Sequence, residues 1–311
     1  MFLYMISFMF VIGSNDWFVI WLGLEINMIS FLILIFNRFN ISIIESCFKY
    51  FFIQSMGSAI FISMFYLMKI NMSMLCYMIL MYSVGAGPFF YWFISVSKGI
   101  SLISLFFLMT FQKFIPFILS GIFLNFIGWL FSIISLLMGV LGSFNQSNIK
   151  MLLSYSSVHH LGWIILCMMS NDLYWMIYLF MYSFMLFFLM YVMMNTEIID
   201  FYSLMKSKGK MWFMMMLLGM GGMPPFVGFF LKWMAFYMIM EWNSMMFMFL
   251  IMMSVSMFYI YLRMVYDIMM GSYKYMSWYD YSLMWKFFWK WDYISIFGMM
   301  LGLIFGMILL M

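Results

Sequence analysis

Charge is what this chain of 311 residues has least of. Asp, Glu, Lys and Arg together make up 8% of it, against 68% apolar residues and a mean hydropathy of +1.09. A water-soluble globule carries about a quarter charged residues, so a soluble domain is excluded. Cysteine is scarce too. Cys47, Cys76 and Cys167 stand apart, without the pairwise spacing that zinc or iron–sulfur ligation needs, and read as apolar packing residues. The two histidines, His159 and His160, are sequence neighbours. A bis-histidine haem needs ligands from facing helices, so that cofactor is excluded. Metal and nucleotide signatures are also missing, and the expectation is that this chain binds no cofactor of its own. Strict apolar/polar alternation is absent, which excludes a transmembrane β-barrel.

What is present is a near-continuous series of apolar runs long enough to cross a bilayer core of about 30 Å as helices. The fold class expected is an all-α polytopic membrane protein. Loop polarity places spans near 1–13, 16–36, 43–68, 75–97, 99–119, 121–143, 148–170, 172–195, 209–241, 243–268 and 292–311, eleven in all. The chain opens MFLYMISFMFVIG, with no basic region and no small-residue cleavage site, and reads as a retained first helix. Alternating the spans puts Arg38, Lys98, Lys206 to Lys210 and Lys274 to Lys290 on one side and Lys69 alone on the other. The positive-inside rule makes the basic side the inner one. Residues 272–293 mix Trp278, Trp285, Trp289 and Trp291 with Lys286 and Lys290, the composition of a segment lying in the headgroup layer.

Proline is sparse enough that its clustering with glycine is informative. Only four prolines occur, and three fall with glycines in two mid-span stretches. The fourth span carries SVGAGPFFYW, with Gly85, Gly87 and Pro88. The ninth carries LGMGGMPPFVGFFLKW, with Gly222, Pro224 and Pro225. Each is expected to be a discontinuous helix, because Pro removes a backbone donor and Gly releases φ. The ninth run would extend about 50 Å as an unbroken helix, too long for the core. The two stretches lie five spans apart. If spans one to five and six to ten are repeats, an odd number of crossings inverts one copy relative to the other, and paired interrupted helices point to an ion path. The divisions expected are 1–119 and 120–270 as inverted five-helix repeats, with 271–311 holding the interfacial segment and a last helix. Ordinary proline kinks are the bland alternative.

The few ionisable residues far from span ends are Glu25, Lys113, His159, His160 and Lys232. Each charged form at the bilayer centre costs about 2.5–3.5 kcal/mol on insertion scales. Pairing offsets that cost, or the group gives up or takes on a proton. Both outcomes suit proton relay, whereas a fixed ion pair joining helices would not need basic groups to outnumber the one acid. KMLLSYSSVHHLGW lines up hydroxyls that can hold water beneath a histidine, and neighbouring helical residues point about 100° apart, so one histidine faces a path and the other packs. Lys150, at the inner end of the seventh span, either snorkels or loads protons. Glu45 and Lys49 form an ordinary i,i+4 surface pair.

The stretches WLGLEINMISF, ESCFKYFFIQ, GAGPFFYW, MTFQKFIPF, LGSFNQSNIKMLLSYSSVHHLGW and GGMPPFVGFFLKW run in order from about residue 16 to 233. As a set they resemble the chain 2 family of mitochondrial NADH:ubiquinone oxidoreductase, the antiporter-like membrane subunits of respiratory complex I. The resemblance fades in the last quarter of the chain. It implies eleven helices as two inverted five-helix repeats with two broken helices and one extra helix. It also implies that Glu25, Lys113 and Lys232 take part in proton translocation, with His160 the path histidine. FMN, iron–sulfur clusters and ubiquinone would belong to other subunits, and the partners would be neighbouring antiporter-like membrane subunits and inner-membrane lipids, with no nucleic acid. Family members usually carry a lysine where this chain has Ser83, and a histidine where it has Phe90. That leaves Glu25 to find a hydroxyl, a water or a more distant ammonium such as Lys113.

Met 47 and Phe 41 set against three alanines (Ala59, Ala86, Ala235) is the bias of AT-rich coding, with an AT-only codon read as Met, as in animal mitochondrial genomes. The location expected is the inner mitochondrial membrane, N-terminus in the matrix and C-terminus in the intermembrane space. The function expected is proton translocation by a subunit of an NADH:ubiquinone reductase without redox chemistry of its own. The alternatives are a structural membrane-arm subunit whose pumping has lapsed, and a free-standing cation/proton antiporter.

Overall fold

The computed structural model describes residues 2–67, 73–170, 173–196, 210–224, 226–240 and 244–273, and every structural statement below concerns these. The segment 274–290, the span 292–311, Lys69, Lys206 and Lys208 and the helix-break residue Pro225 lie outside them. Among the described residues the elements are all helical: α1 (Phe2–Gly13), α2 (Trp17–Ile35), α3 (Ile41–Leu67), α4 (Ser73–Val84), α5 (Tyr91–Gly99), α6 (Leu102–Met109), α7 (Phe111–Ile122), α8 (Ile127–Ser143), α9 (Ile149–Ser170), α10 (Tyr174–Thr196), α11 (Lys210–Gly221), α12 (Val227–Met240) and α13 (Ser244–Tyr273). Five stretches among them are long and apolar enough to cross a membrane: Trp17–Ile35, Leu102–Ile122, Ile149–Ser170, Tyr174–Met194 and Met246–Met270.

The chain forms two compact units, Met1–Gly139 with Leu153–Asp172, and Val140–Leu152 with Leu173–Met311. In the first, α1 packs on α2, α2 on α3, α3 on α4 and α5, and α4 on α7. Val11, Ile20, Phe61, Cys76, Leu80, Ile115 and Leu119 make one buried apolar cluster there. Glycine sets how closely the helices approach: a Cβ at Gly23 would lie 2.6 Å from Val11 Cγ2, and one at Gly139 would lie 2.7 Å from the backbone nitrogen of His159. In the second unit, α11 packs against α10, α12 and α13, around buried Met216, Leu217, Met220, Leu250, Met257 and Tyr261.

Both expected interruptions are present. The fourth span stops as α4 at Val84 and resumes as α5 at Tyr91, with Gly85 at φ +78°. The ninth stops as α11 at Gly221 and resumes as α12 at Val227, with Gly222 at φ +87°. Both glycines occupy a left-handed conformation that costs an L-residue side-chain strain, which is why a helix stops there. Pro88 and Pro224 lie in the connecting turns. The 12 and 14 residues of α11 and α12 rise about 18 and 21 Å at 1.5 Å per residue, so each is a half-span.

A third interruption, not expected from the sequence, falls within the span placed near 99–119, which runs as one apolar stretch, Leu102–Ile122. The run divides at Thr110 (φ −118°, ψ −81°) into α6 and α7. Thr110 Oγ1 donates to the Phe106 carbonyl at 2.7 Å, and a hydroxyl bonding one turn back competes with the helix's own ladder and bends it.

Candidate functional site: buried lysines beside broken helices

Lys113 stands in the first turn of α7, directly after the Thr110 interruption, and is 2% exposed. Its backbone N–H donates to the Thr110 carbonyl at 3.0 Å. Its Nζ lies 4.8 Å from the centre of the Phe93 ring on α5, a cation–π arrangement. Away from water such a contact is worth about 2 kcal/mol, comparable with the insertion cost of the charge. The break at Gly85 is coupled to that ring, because a Cβ at Gly85 would lie 3.0 Å from Phe93 Cβ. Two interrupted helices therefore meet at this lysine's surroundings.

Lys232 repeats the theme in the second unit. It sits on α12, 6% exposed, and its Nζ reaches back across the break to donate to the Gly221 carbonyl at 2.6 Å. Gly221 ends α11, where unsatisfied carbonyls concentrate partial negative charge and a cation is favoured. The turn leaves room for the side chain only because it is built from glycine. A Cβ at Gly222 would come 3.1 Å from Lys232 Cδ, and one at Gly228 would overlap the Gly219 carbonyl oxygen. Among the described residues no carboxylate lies within 4 Å of Lys232. A carbonyl accepts from an ammonium or from a neutral amine, so this partner fixes the side chain's position without fixing its proton.

Glu25 is half-buried on α2, and its Oε1 accepts from the Ser58 hydroxyl on α3. Of the partners open to it, the structure supplies the hydroxyl, and from Ser58 instead of Ser83. Ser83 Oγ is turned onto the Leu80 carbonyl at 2.7 Å. Among the described residues no basic side chain lies within 4 Å of Glu25. Lys49 and Glu45 form a surface ion pair at 2.5 Å.

His159 and His160 are both buried on α9. His159 Nε2 accepts from Trp163 Nε1 at 3.1 Å and its Nδ1 is 3.5 Å from the Leu136 carbonyl. It thus contacts the backbone of α8, and the two histidine rings lie 6.0 Å apart, inclined at 78°. The hydroxyls expected to hold water beneath His160 are partly committed elsewhere: Ser156 and Ser157 donate to Leu153 and Ser154 carbonyls of their own helix. Lys150 is half-buried in the first turn of α9, its N–H donating to Asn148 Oδ1 at 3.0 Å.

Sequence reasoning missed a half-buried amide hub. Gln112 Oε1 accepts from Asn27 Nδ2 at 3.0 Å and from the Tyr50 hydroxyl at 2.8 Å, while Gln112 Nε2 donates to the Tyr4 hydroxyl. Four helices, α1, α2, α3 and α7, are joined by one side chain next to Lys113. The signal was available in the QK pair of MTFQKFIPF and in an Asn two residues after Glu25, but one polar residue in an apolar run does not name its partners. Gln112→Leu is expected to lower stability by about 2–4 kcal/mol, since it strands several buried groups at roughly 1–3 kcal/mol each. Thermal dissociation of the purified protein checks this, and an unchanged midpoint would refute it.

The family described as "NADH:quinone oxidoreductase/Mrp antiporter, TM" matches residues 71–258. The chain belongs to that family. The NADH-ubiquinone oxidoreductase chain 2 of Anopheles gambiae is 36% identical to it over 291 residues, covering 86% of this chain and 84% of the mosquito protein. That of Locusta migratoria is 34% identical over 248 residues, covering 74% and 72%. In three dimensions the chain is similar to one from respiratory complex I of Thermus thermophilus, with a TM-score of 0.80 over 98% of this chain and 77% of that one at 18% identity. It also resembles a chain of the Mrp complex from Dietzia sp., with a TM-score of 0.73 over 85% and 59% at 13% identity. These structural likenesses establish the fold of the NADH:quinone oxidoreductase/Mrp antiporter family in a chain far from both in sequence. The two glycine-bounded breaks, Lys113 and Lys232 all lie inside the matched region.

Proposed function

We propose that this chain is a core membrane subunit of mitochondrial NADH:ubiquinone oxidoreductase and carries protons across the inner membrane, driven by quinone reduction in other subunits. The observation that carries the reading is the recurrence of one device: a buried lysine placed beside a helix interruption, at Lys113 and again at Lys232. A lysine exchanges protons only if its neighbours tolerate both of its forms. The π face of Phe93 and the carbonyl of Gly221 are neighbours of that kind, unlike a carboxylate, which would lock the ammonium in place. In this reading Lys113 and Lys232 exchange protons, His160 relays, Glu25 sets the local field and Lys150 loads from the matrix side. Residues 1–119 and 120–270 act as inverted repeats of the same mechanism. FMN, iron–sulfur clusters and ubiquinone are held by partner subunits. The N-terminus lies in the matrix and the C-terminus in the intermembrane space.

The test is proton pumping by the purified complex reconstituted in vesicles, with Lys232 replaced by Met. Vesicle acidification per NADH oxidised is expected to drop clearly below that of the parent. Lys232→Arg, which keeps the charge but holds its proton, is expected to be as poor. An arginine variant that pumps normally would show that Lys232 supplies charge alone and would overturn its role as carrier.

A further inference from the structure

The turns at the two breaks are built alike. At the first, the Gly85 N–H donates to the Tyr82 carbonyl and the Ala86 N–H to the Met81 carbonyl, both at 3.1 Å. At the second, the Gly222 N–H donates to the Gly219 carbonyl and the Met223 N–H to the Leu218 carbonyl, both at 3.2 Å. Each is the glycine cap in which a left-handed residue folds the chain back onto its own last helical turn. The cap meets only some of the carbonyls that a helix end leaves open, so donors from elsewhere are needed for others.

Those donors differ in kind. At the second break the Gly221 carbonyl takes the Nζ of Lys232, so the buried lysine itself holds the joint. At the first, Lys113 belongs to another helix, α7, and two uncharged side chains hold the joint. Gln54 Nε2, from α3, donates to the Ser83 carbonyl at 2.9 Å, and Trp92 Nε1, from the first turn of α5, donates to the Tyr82 carbonyl at 3.0 Å. Consecutive carbonyls at the end of α4 are thereby gripped from two helices, and the Trp92 bond spans the break. An amide and an indole keep their hydrogens whatever the pH, so this joint depends on no proton.

The grip bears on Lys113 through the residue next to Trp92. The Trp92 side chain is 8% exposed, and its ring stands edge-on to that of Phe93, 5.9 Å between centres, and 6.3 Å from that of Tyr50. Phe93 supplies the ring 4.8 Å from Lys113 Nζ, and Tyr50 donates to Gln112, the chain neighbour of Lys113. A cation is held by a ring face only within about 6 Å of its centre, so the contact weakens if the first turn of α5 slides along α4. We propose that Trp92 and Gln54 are positioning residues: by clamping the end of α4 to α5 and α3, they fix the Phe93 ring at Lys113. Their effect on pumping rests on the proton-carrying role proposed for Lys113; the placement of the ring does not.

The experiment is a cryo-electron-microscopy map of the purified complex carrying Trp92→Phe, with proton pumping measured on the same preparation in vesicles. Phenylalanine keeps a ring and removes the N–H, and the Tyr82 carbonyl retains the Gly85 N–H, so it is not stranded. The Phe93 ring is expected to lie farther than 4.8 Å from Lys113 Nζ. Pumping is expected to fall roughly two- to tenfold, the population lost with one hydrogen bond. Because Trp92 acts through Phe93, combining Trp92→Phe with Phe93→Leu should lower pumping no further than the larger single loss, a coupling that independent losses of packing do not show. Gln54→Leu removes the second donor and is expected to displace the ring as well, which decides the matter if Trp92→Phe fails to assemble. A ring at its parental distance in the assembled variant, or losses that multiply in the double variant, would overturn the proposal. A displaced ring with full pumping would uphold the positioning and count against Lys113 as a carrier, so the two readings fail separately.

Discussion

Replacing Lys113 by Met in the reconstituted complex is expected to suppress proton pumping more than any other single change in the first unit. The side chain is 2% exposed, so methionine fills nearly the same buried volume and the variant is expected to assemble. What is lost, on the function proposed above, is the proton-exchanging group at the point where α7 begins. Removing a positioned proton-transfer group typically slows its step by about 10²–10⁴-fold. A coupled machine then has two choices, to slow NADH oxidation to match or to oxidise NADH while moving fewer protons. Measuring both rates in the same vesicles separates them, and either result supports the assignment. Full pumping at the parental ratio with Lys113→Met would end it. Phe93→Leu offers a graded comparison: it removes the ring 4.8 Å from Nζ but leaves the lysine, and a partial loss is expected.

The second large effect concerns the backbone. Gly228→Val places a side chain where the Gly219 carbonyl oxygen already lies, and that overlap cannot be relieved by turning a side chain. The expected cost is about 3 kcal/mol or more, at the upper end for overpacking a well-packed site. It should show as a lower steady-state level of the assembled complex and a lower dissociation temperature. The functional consequence follows from geometry. Separating α12 from the end of α11 removes Lys232 from the Gly221 carbonyl, so whatever complex does form should pump as poorly as Lys232→Met. A Gly228→Val complex of normal stability would mean that the half-helices do not depend on this close approach.

These expectations show how unevenly the sequence reports its own structure. The breaks at Gly85 and Gly222 were legible because glycine and proline act locally: a left-handed φ or a missing N–H is a property of one residue and needs no partner. The buried charges at Glu25, Lys113 and Lys232 were legible for a similar reason, since a charged side chain stands out in an apolar run whatever surrounds it. The break at Thr110 was not, because threonine is common within apolar helices and only the hydroxyl's bond to Phe106 gives it a bending role. Ser58 was equally silent. One serine in an apolar helix carries no mark that it will meet Glu25, 33 positions earlier in the chain.

Composition and local pattern thus determined by themselves that this is a helical membrane protein, where two of its helices fail, and which few residues are costly enough to need a purpose. Each of those is a one-body property, fixed by transfer free energy and backbone freedom. The tertiary structure alone decided which partner each costly group received: the Gly221 carbonyl for Lys232, the Phe93 ring near Lys113, the Ser58 hydroxyl for Glu25 and the Gln112 hub between four helices. Those are pairings between distant segments, and they depend on how helices cross, which no single residue encodes.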